Sequence, residues 1–488
     1  MSNKPRVLVT LVEAGMGHIV SAAAISDAIK EKYSDSVEVL DSYILRDSDN
    51  EILPKYEQYM IKNVQWYTQF PSFGFFQYAT MYLLGPQNTL AFVHKTVLKK
   101  EVEATLKEYA KLNPDVIICT HHFTFHCAVL YKEKFNKNVK VVCYCPDNNV
   151  HGWWNVRGDM IYTNNPMATK QAYQLGFKSG SVCEAFYPTR KAVINANESK
   201  EFYRQKFGIP LNKFAVAVAD GLYASVKAKR VCQELLKTDL PLTICLLAGK
   251  NEEIREYFDS IKSEVKPNIT LLTFGFTSEA PEIYRACDLF VTKAGPNAIL
   301  DSVLMDTPVI IDFCATPIEH STKDLFSKHF SCGQYIPEPH RIKKQVEEFI
   351  TYPNLLKEFS DSLRFFDKSK NGATLIADDI FSMIFSPNAH RQKHFDIENA
   401  VIDEYMNHKF VKKSEPYTVK LSKTALPPKQ TSKLNGKIAK MRGKIERESS
   451  KFKSRLHNGK KKSNCKYAEI LGQREKYEKD SDKKSEAV

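Results

Sequence analysis

The sequence predicts an α/β protein: two doubly wound parallel sheets in succession, then a basic tail. Three observations carry the prediction. Apolar, β-branched runs of four to eight residues recur from residue 7 to residue 313, separated by stretches of helical period. Strands buried on both faces of a parallel sheet have this pattern. The runs fall into two series, which implies two sheets rather than one. Charge then changes abruptly: residues 409–488 hold 24 Lys+Arg against 9 Asp+Glu, a net of +15, whereas the preceding 408 residues hold 46 against 48.

In the first series VLVTLV (7–12) is a strand followed by an amphipathic helix over residues 19–33. VEVLD (37–41), DVIICT (115–120), VKVVCYC (139–145) and MIYT (160–163) are its other strands. The second series is FAVAVAD (214–220), LTICLLAG (242–249), ITLLTFG (269–275), LFVTKAG (289–295) and TPVIIDF (307–313). Residues 371–385 read as a final amphipathic helix. The domains so defined are 1–185, a linker at 186–211 that runs from FYPTR through GIP, 212–385 including the returning helix, and a tail at 386–488.

Composition sets limits. With 488 residues, 43% hydrophobic and 26% charged, the chain can build one or two sizeable cores, which excludes a collagen, a coiled-coil rod and a wholly disordered chain. The net charge of +13 reports the tail, not the ligand of the body. The 11 cysteines form no C-x-x-C pair and sit mostly in apolar runs, as reduced thiols packed as small hydrophobes do. No secretory signal and no apolar run of about 20 residues is read, so no transmembrane helix is expected.

Two regions break the α/β rhythm. Residues 63–93 contain no charged side chain but nine aromatics, including Trp66, Phe73, Phe75 and Phe76. Pro71 and Pro86 prevent a single spanning helix. The composition suits a membrane interface or an apolar acceptor groove; a buried helical hairpin is the other reading. In the tail, Ile438, Met441, Ile445, Phe452 and Leu456 recur at helix-like spacing among Lys and Arg, as in a helix lying on an anionic membrane surface. Disorder is the plain alternative, and no recognised nucleic-acid-binding module accompanies the charge.

Two motifs carry candidate chemistry. E-A-G-M-G-H (13–18) follows the first strand and opens a helix. Gly15 and Gly17 permit a tight turn and close approach of a ligand, and His18 at the crevice is a candidate general base. Asp41 ends the second strand, where a ribose-binding acid would stand. In L-F-V-T-K-A-G-P-N-A-I-L-D (289–301), Gly295 and Pro296 start a helix whose free N–H groups suit a diphosphate, and Asp301 lies within reach of a sugar hydroxyl.

TKAGPNAILD resembles the donor motif of the monogalactosyldiacylglycerol synthase and diacylglycerol glucosyltransferase family of UDP-sugar glycosyltransferases, to which the peptidoglycan N-acetylglucosaminyltransferase is a distant relative. Other pieces agree in order: A-G-M-G-H (14–18), His121 after the third strand, P-D-N-N-V-H-G-W-W (146–154), A-G-K-N (248–251) and F-G-F-T (274–277). The resemblance spans about residues 6–385. It implies the glycosyltransferase B fold, two Rossmann-like domains facing a cleft, with acceptor on the first and UDP-sugar on the second. It implies an inverting hexosyltransferase, peripheral on the cytoplasmic face of the cell membrane, that needs no cofactor or metal beyond its UDP-hexose donor.

Carried over by position, His18 is the base and Asp147 its support. Gly275, Phe276 and Thr277 frame the uracil; Lys293, Gly295, Pro296 and Asn297 hold the diphosphate; Asp301 takes the ribose; Glu319 and His320 face the sugar. Gly15, Gly17, Trp66, Phe73, Phe75, Phe76, His121 and Trp154 meet diacylglycerol or a similar lipid, or the membrane. The chain departs from the family at Asp301, where Glu is usual, and at P-I-E-H (317–320), where P-G-Q-E is usual. A UDP-sugar 2-epimerase-like enzyme and a degenerate tethering member are the alternatives. A metal site at His121, His122 and His126 has only the i, i+4 spacing of the last two in its favour.

Overall fold

The computed structural model describes residues 4–69, 86–178, 180–363, 366, 368–388 and 390. All lie in one compact unit, Met1–Asn407. Phe73, Phe75, Phe76 and the tail helix fall outside the described residues.

Among the described residues there are two six-stranded sheets, and every strand pair in them is parallel. The first contains β1 (Arg6–Thr10), β2 (Glu38–Ser42), β3 (Val116–Cys119), β4 (Lys140–Tyr144), β5 (Met160–Thr163) and β6 (Val182–Glu184), in the order β2-β1-β3-β4-β5-β6. The second contains β7 (Phe214–Ala219), β8 (Leu242–Gly249), β9 (Ile269–Gly275), β10 (Leu289–Thr292), β11 (Val309–Ile311) and β12 (Gly333–Tyr335), in the order β12-β11-β10-β7-β8-β9. Strands β3, β4, β5, β8, β10 and β11 are buried almost end to end, which is why they read as unbroken apolar runs. Two strands were not legible as runs, β6 and β12, each three residues long and at a sheet edge.

This topology positions the site. In each sheet the order of winding reverses beside the first strand, between β1 and β3 and between β7 and β10. Ligands bind open α/β sheets outside the carboxyl ends of strands at such switch points. The turn that carries His18 leaves β1, and Thr120–His121 leaves β3. Asp220–Gly221 leaves β7, and Lys293–Gly295 leaves β10. The last helix, Gly372–Phe385, returns to the first sheet, where Ile376, Ala377 and Ile380 share a core with Ile25 and Ile29 of α1 (Met16–Tyr33). No helix among the described residues is long and apolar enough to cross a membrane.

Candidate active site

A cavity of about 2090 Å³ is lined from both sheets. One wall is built by the β1 turn. Gly15 adopts φ 113°, a conformation that a side chain would strain. Helix α1 starts directly after it and carries His18 in its first turn. The ring is oriented by the neighbouring strand: His18 Nδ1 lies 2.6 Å from the Thr120 carbonyl oxygen. A carbonyl only accepts, so the neutral ring bears its proton on Nδ1 and its lone pair on Nε2. Burial pushes the His18 pKa below the ordinary histidine value, opposed mainly by the negative charge of Asp147. The ring is therefore a free base near neutral pH.

Around it stand more imidazoles. His121 meets His18 edge-on at 4.9 Å between ring centroids and caps the helix His122–Lys134 by accepting the Phe123 N–H at 3.3 Å. His151 Nε2 lies 3.6 Å from Asp147 Oδ2, and its Nδ1 accepts the Trp153 N–H at 3.3 Å. Among the described residues no three His, Cys, Asp or Glu side chains converge to hold a metal ion.

Across the cleft the turn expected to hold the diphosphate comes close. Gly295 is the N-cap of the helix Pro296–Leu304, with Pro296 in its first turn. Gly17 abuts Asn297 so closely that a Cβ there would overlap the Asn297 amide and touch Pro146 at 4.0 Å. The two loops that carry the expected base and the expected diphosphate turn are thus in direct contact. Lys293 and Glu319 form an ion pair on the same wall, 2.8 Å apart. A third arm of the cavity runs along α2 (Ile52–Gln69) and the helix Pro86–Thr96, lined by Tyr56, Met60, Val64, Val93, Val97 and Leu98.

His18, Asp147, Gly15, Gly17, His121, Lys293, Gly295, Pro296, Asn297 and Glu319 all line this one cavity. Other expected residues stand elsewhere. Asp301 is 4% exposed and turned into the linker: Arg190 Nη2 and Nε lie 2.6 and 3.1 Å from its Oδ2, and Tyr187 donates to its Oδ1 at 3.0 Å. It is one methylene shorter than the Glu of the family pattern and is engaged by three donors, so in this conformation it offers nothing to a ribose. Trp154 is fully buried beside Phe125, and Trp153 lines the cavity instead. Gly275, Phe276 and Thr277 lie at the end of β9 but outside the cavity lining; Phe276 is 59% exposed beside Lys250. His320 is exposed and outside the lining. Trp66 is half exposed at the far end of α2. Asp41 accepts from Ser26 at 2.5 Å and pairs with Lys30 on α1, which removes it as a ribose ligand.

Residues missed in the sequence are acids at the ends of β7 and β11. Asp220 accepts the Lys293 N–H at 3.2 Å, and Asp312 is buried beside it, its carboxyl pushed well above the usual range by desolvation and by the Asp220 charge. A lone acid after an apolar run was the only available signal.

Residues 18–184 match the family model of monogalactosyldiacylglycerol (MGDG) synthase. The chain is similar to the monogalactosyldiacylglycerol synthases. It is 25% identical over 374 residues to monogalactosyldiacylglycerol synthase 2 of Arabidopsis thaliana, covering 73% of this chain and 76% of that one. It is 21% identical over 381 residues to a processive diacylglycerol β-glucosyltransferase of Bacillus pumilus, covering 78% and 95%. Among solved structures, MurG of Acinetobacter baumannii superposes with a TM-score of 0.50 at 11% identity, covering 78% of this chain and all of that one. A UDP-GlcNAc 2-epimerase of Neisseria meningitidis, bound to UDP-GlcNAc, gives 0.50 at 11%, covering 77% and all of that chain. The fold is that of the B-type glycosyltransferases, and at this identity the structural likeness speaks for fold alone.

Proposed function

We propose that this protein transfers a hexose from a UDP-sugar to diacylglycerol or a similar membrane lipid alcohol, inverting the anomeric carbon. The observation that carries the reading is the placement of His18, its Nδ1 proton committed to Thr120, against a helix-opening turn 295–297 on the other sheet. The acceptor hydroxyl gives its proton to His18 Nε2 as its oxygen bonds to the anomeric carbon. The bond from that carbon to the diphosphate breaks, and UDP leaves. The N–H groups at the start of Pro296–Leu304 take up the developing charge. Asp147 stabilises the imidazolium electrostatically.

The apolar arm along α2 supports a lipid acceptor, as do the relatives named for diacylglycerol and its galactolipid. An epimerase would have no use for that arm. Exposed Tyr59, Trp66, Phe92 and Val97 on α2, on Pro86–Thr96 and just after it suit the membrane interface. With the basic tail they favour peripheral attachment to an anionic inner leaflet. The uracil falls to 275–277 at the end of β9; the ribose contact is not assigned to Asp301 while Arg190 holds it. Replacing His18→Ala tests the reading: glycolipid formation should fall by about 10²–10⁴-fold while UDP still binds. Retained turnover would remove His18 as base.

A further inference from the structure

Helix α1 opens without a side-chain cap: its N-cap is Gly15, and Ala14 and Gly17 beside it carry no polar side chain. The turn that delivers His18 therefore needs anchors from outside itself. One lies at its His18 end, where the ring meets the Thr120 carbonyl and Thr120 Oγ1 donates to the His18 carbonyl at 2.8 Å. The other comes from α2 at its opposite end. Glu57 Oε1 accepts the Glu13 N–H at 2.7 Å, short as a bond to a charged acceptor is. Glu57 is 2% exposed, and burial pushes its carboxyl above the usual range. Arg46, the nearby cation, pairs with Asp47 instead. A carboxylate is costly to bury, and this one lies outside the cavity lining and is directed at the backbone of the turn. Its neighbours on α2, Tyr56 and Met60, line the apolar arm. One helix thus meets both the arm and the His18 turn.

We propose that Glu57 is a positioning residue through which α2 holds the β1 turn, so that filling the apolar arm sets His18 in place. This rests on the reading of His18 as base and of the arm as the acceptor's. Glu57 touches no reacting atom; it acts through the Glu13 backbone. Without an acceptor for that N–H, residues 13–15 lose the one side-chain anchor that α2 gives them. A shift of the reacting groups by on the order of 1 Å costs about 10²-fold in rate. Acyl chains packed against Tyr56 and Met60 would steady α2 and, through Glu57, the turn. Binding energy from the unreactive part of the acceptor would then appear in kcat and not only in KM.

The test uses the full chain and compares dioleoylglycerol with dihexanoylglycerol, both in mixed detergent micelles, as acceptors. Wild type should show a kcat at least about tenfold higher for the long chains. Glu57→Met keeps the bulk but removes the acceptor. It should lower kcat for dioleoylglycerol about 10²-fold, bring the two acceptors within about threefold of each other, and leave UDP affinity unchanged. Glu57→Gln still accepts the Glu13 N–H through its amide oxygen and should stay within about threefold of wild type. A folded Glu57→Met with wild-type kcat overturns the proposal. So does a loss confined to KM, an equal loss for both acceptors, or a Glu57→Gln as impaired as Glu57→Met. The wild-type chain-length comparison and Glu57→Gln stand even if Glu57→Met does not fold, and a wild-type kcat indifferent to chain length overturns the coupling. Retained turnover in His18→Ala, or no glycolipid from wild type, contradicts the reading of the site and this inference with it. An inactive His18→Ala beside a normal Glu57→Met contradicts this inference alone.

Discussion

Gly17→Ala separates chemistry from stability. Gly17 sits in the first turn of α1, next to His18, and faces Asn297 of the proposed donor turn. An alanine Cβ would overlap Asn297 Nδ2, lie 3.4 Å from its Cγ and touch Pro146 Cβ at 4.0 Å. Because the obstacle is the end of a side chain, the fold can relieve it cheaply. Alanine also favours the helix by up to about 1 kcal/mol over glycine. Relief, however, requires the Asn297 amide or the whole β1 turn to move by on the order of 1 Å, and such a displacement of reacting groups costs about 10²-fold in rate. The expectation is unchanged or slightly raised denaturant stability with turnover lowered about 100-fold. Stability would be read by urea unfolding and turnover by UDP release in lipid vesicles. Wild-type turnover in a folded Gly17→Ala protein would refute the argument that the two loops meet at the reacting atoms.

Further outcomes follow from the same geometry. Turnover should fall as pH drops through the His18 pKa and level off above it, and the fall should lie below pH 6.5 because burial depresses that pKa. Asp147→Asn removes the charge that raises it, so the acid limb of kcat/KM should move to still lower pH while the plateau drops; an acid limb that stays in place would exclude Asp147 as the electrostatic partner. Arg190→Ala leaves Asp301 buried beside Tyr187 with its charge uncompensated, and should destabilise the folded chain by about 3–5 kcal/mol in urea unfolding. Asp301→Asn should cost stability rather than discrimination between UDP and 2′-deoxy-UDP; loss of that discrimination would restore Asp301 as the ribose ligand. Removing residues 409–488 should weaken binding to anionic liposomes, most at low salt, and unchanged binding would assign attachment to the body.

Strands buried on both faces were legible because their apolar runs need no partner to be seen: LTICLLAG and ITLLTFG match β8 and β9 residue for residue. β6 and β12 were not, because a three-residue edge strand such as VCE or GQY has too little buried surface to leave a pattern. Site residues fixed by backbone, such as Gly15, His18 and Gly295, were readable from strand–turn–helix punctuation. Those whose fate depends on a distant partner were not. Asp301 is drawn away by Arg190, 111 residues earlier, and Trp154 is sunk against Phe125 while Trp153 takes the cavity wall. The Glu319–Lys293 pair spans 26 residues, so the charge at 319 was visible but its partner was not.

The central claim is hexose transfer to a lipid alcohol, and product analysis tests it most directly. Purified full chain would be incubated with anionic vesicles containing diacylglycerol, and separately with UDP-glucose, UDP-galactose and UDP-N-acetylglucosamine, and the lipids read by mass spectrometry. The account predicts a hexosyl-diacylglycerol from one of the neutral donors, absent in His18→Ala. UDP binding without any glycosylated lipid from wild type would contradict it.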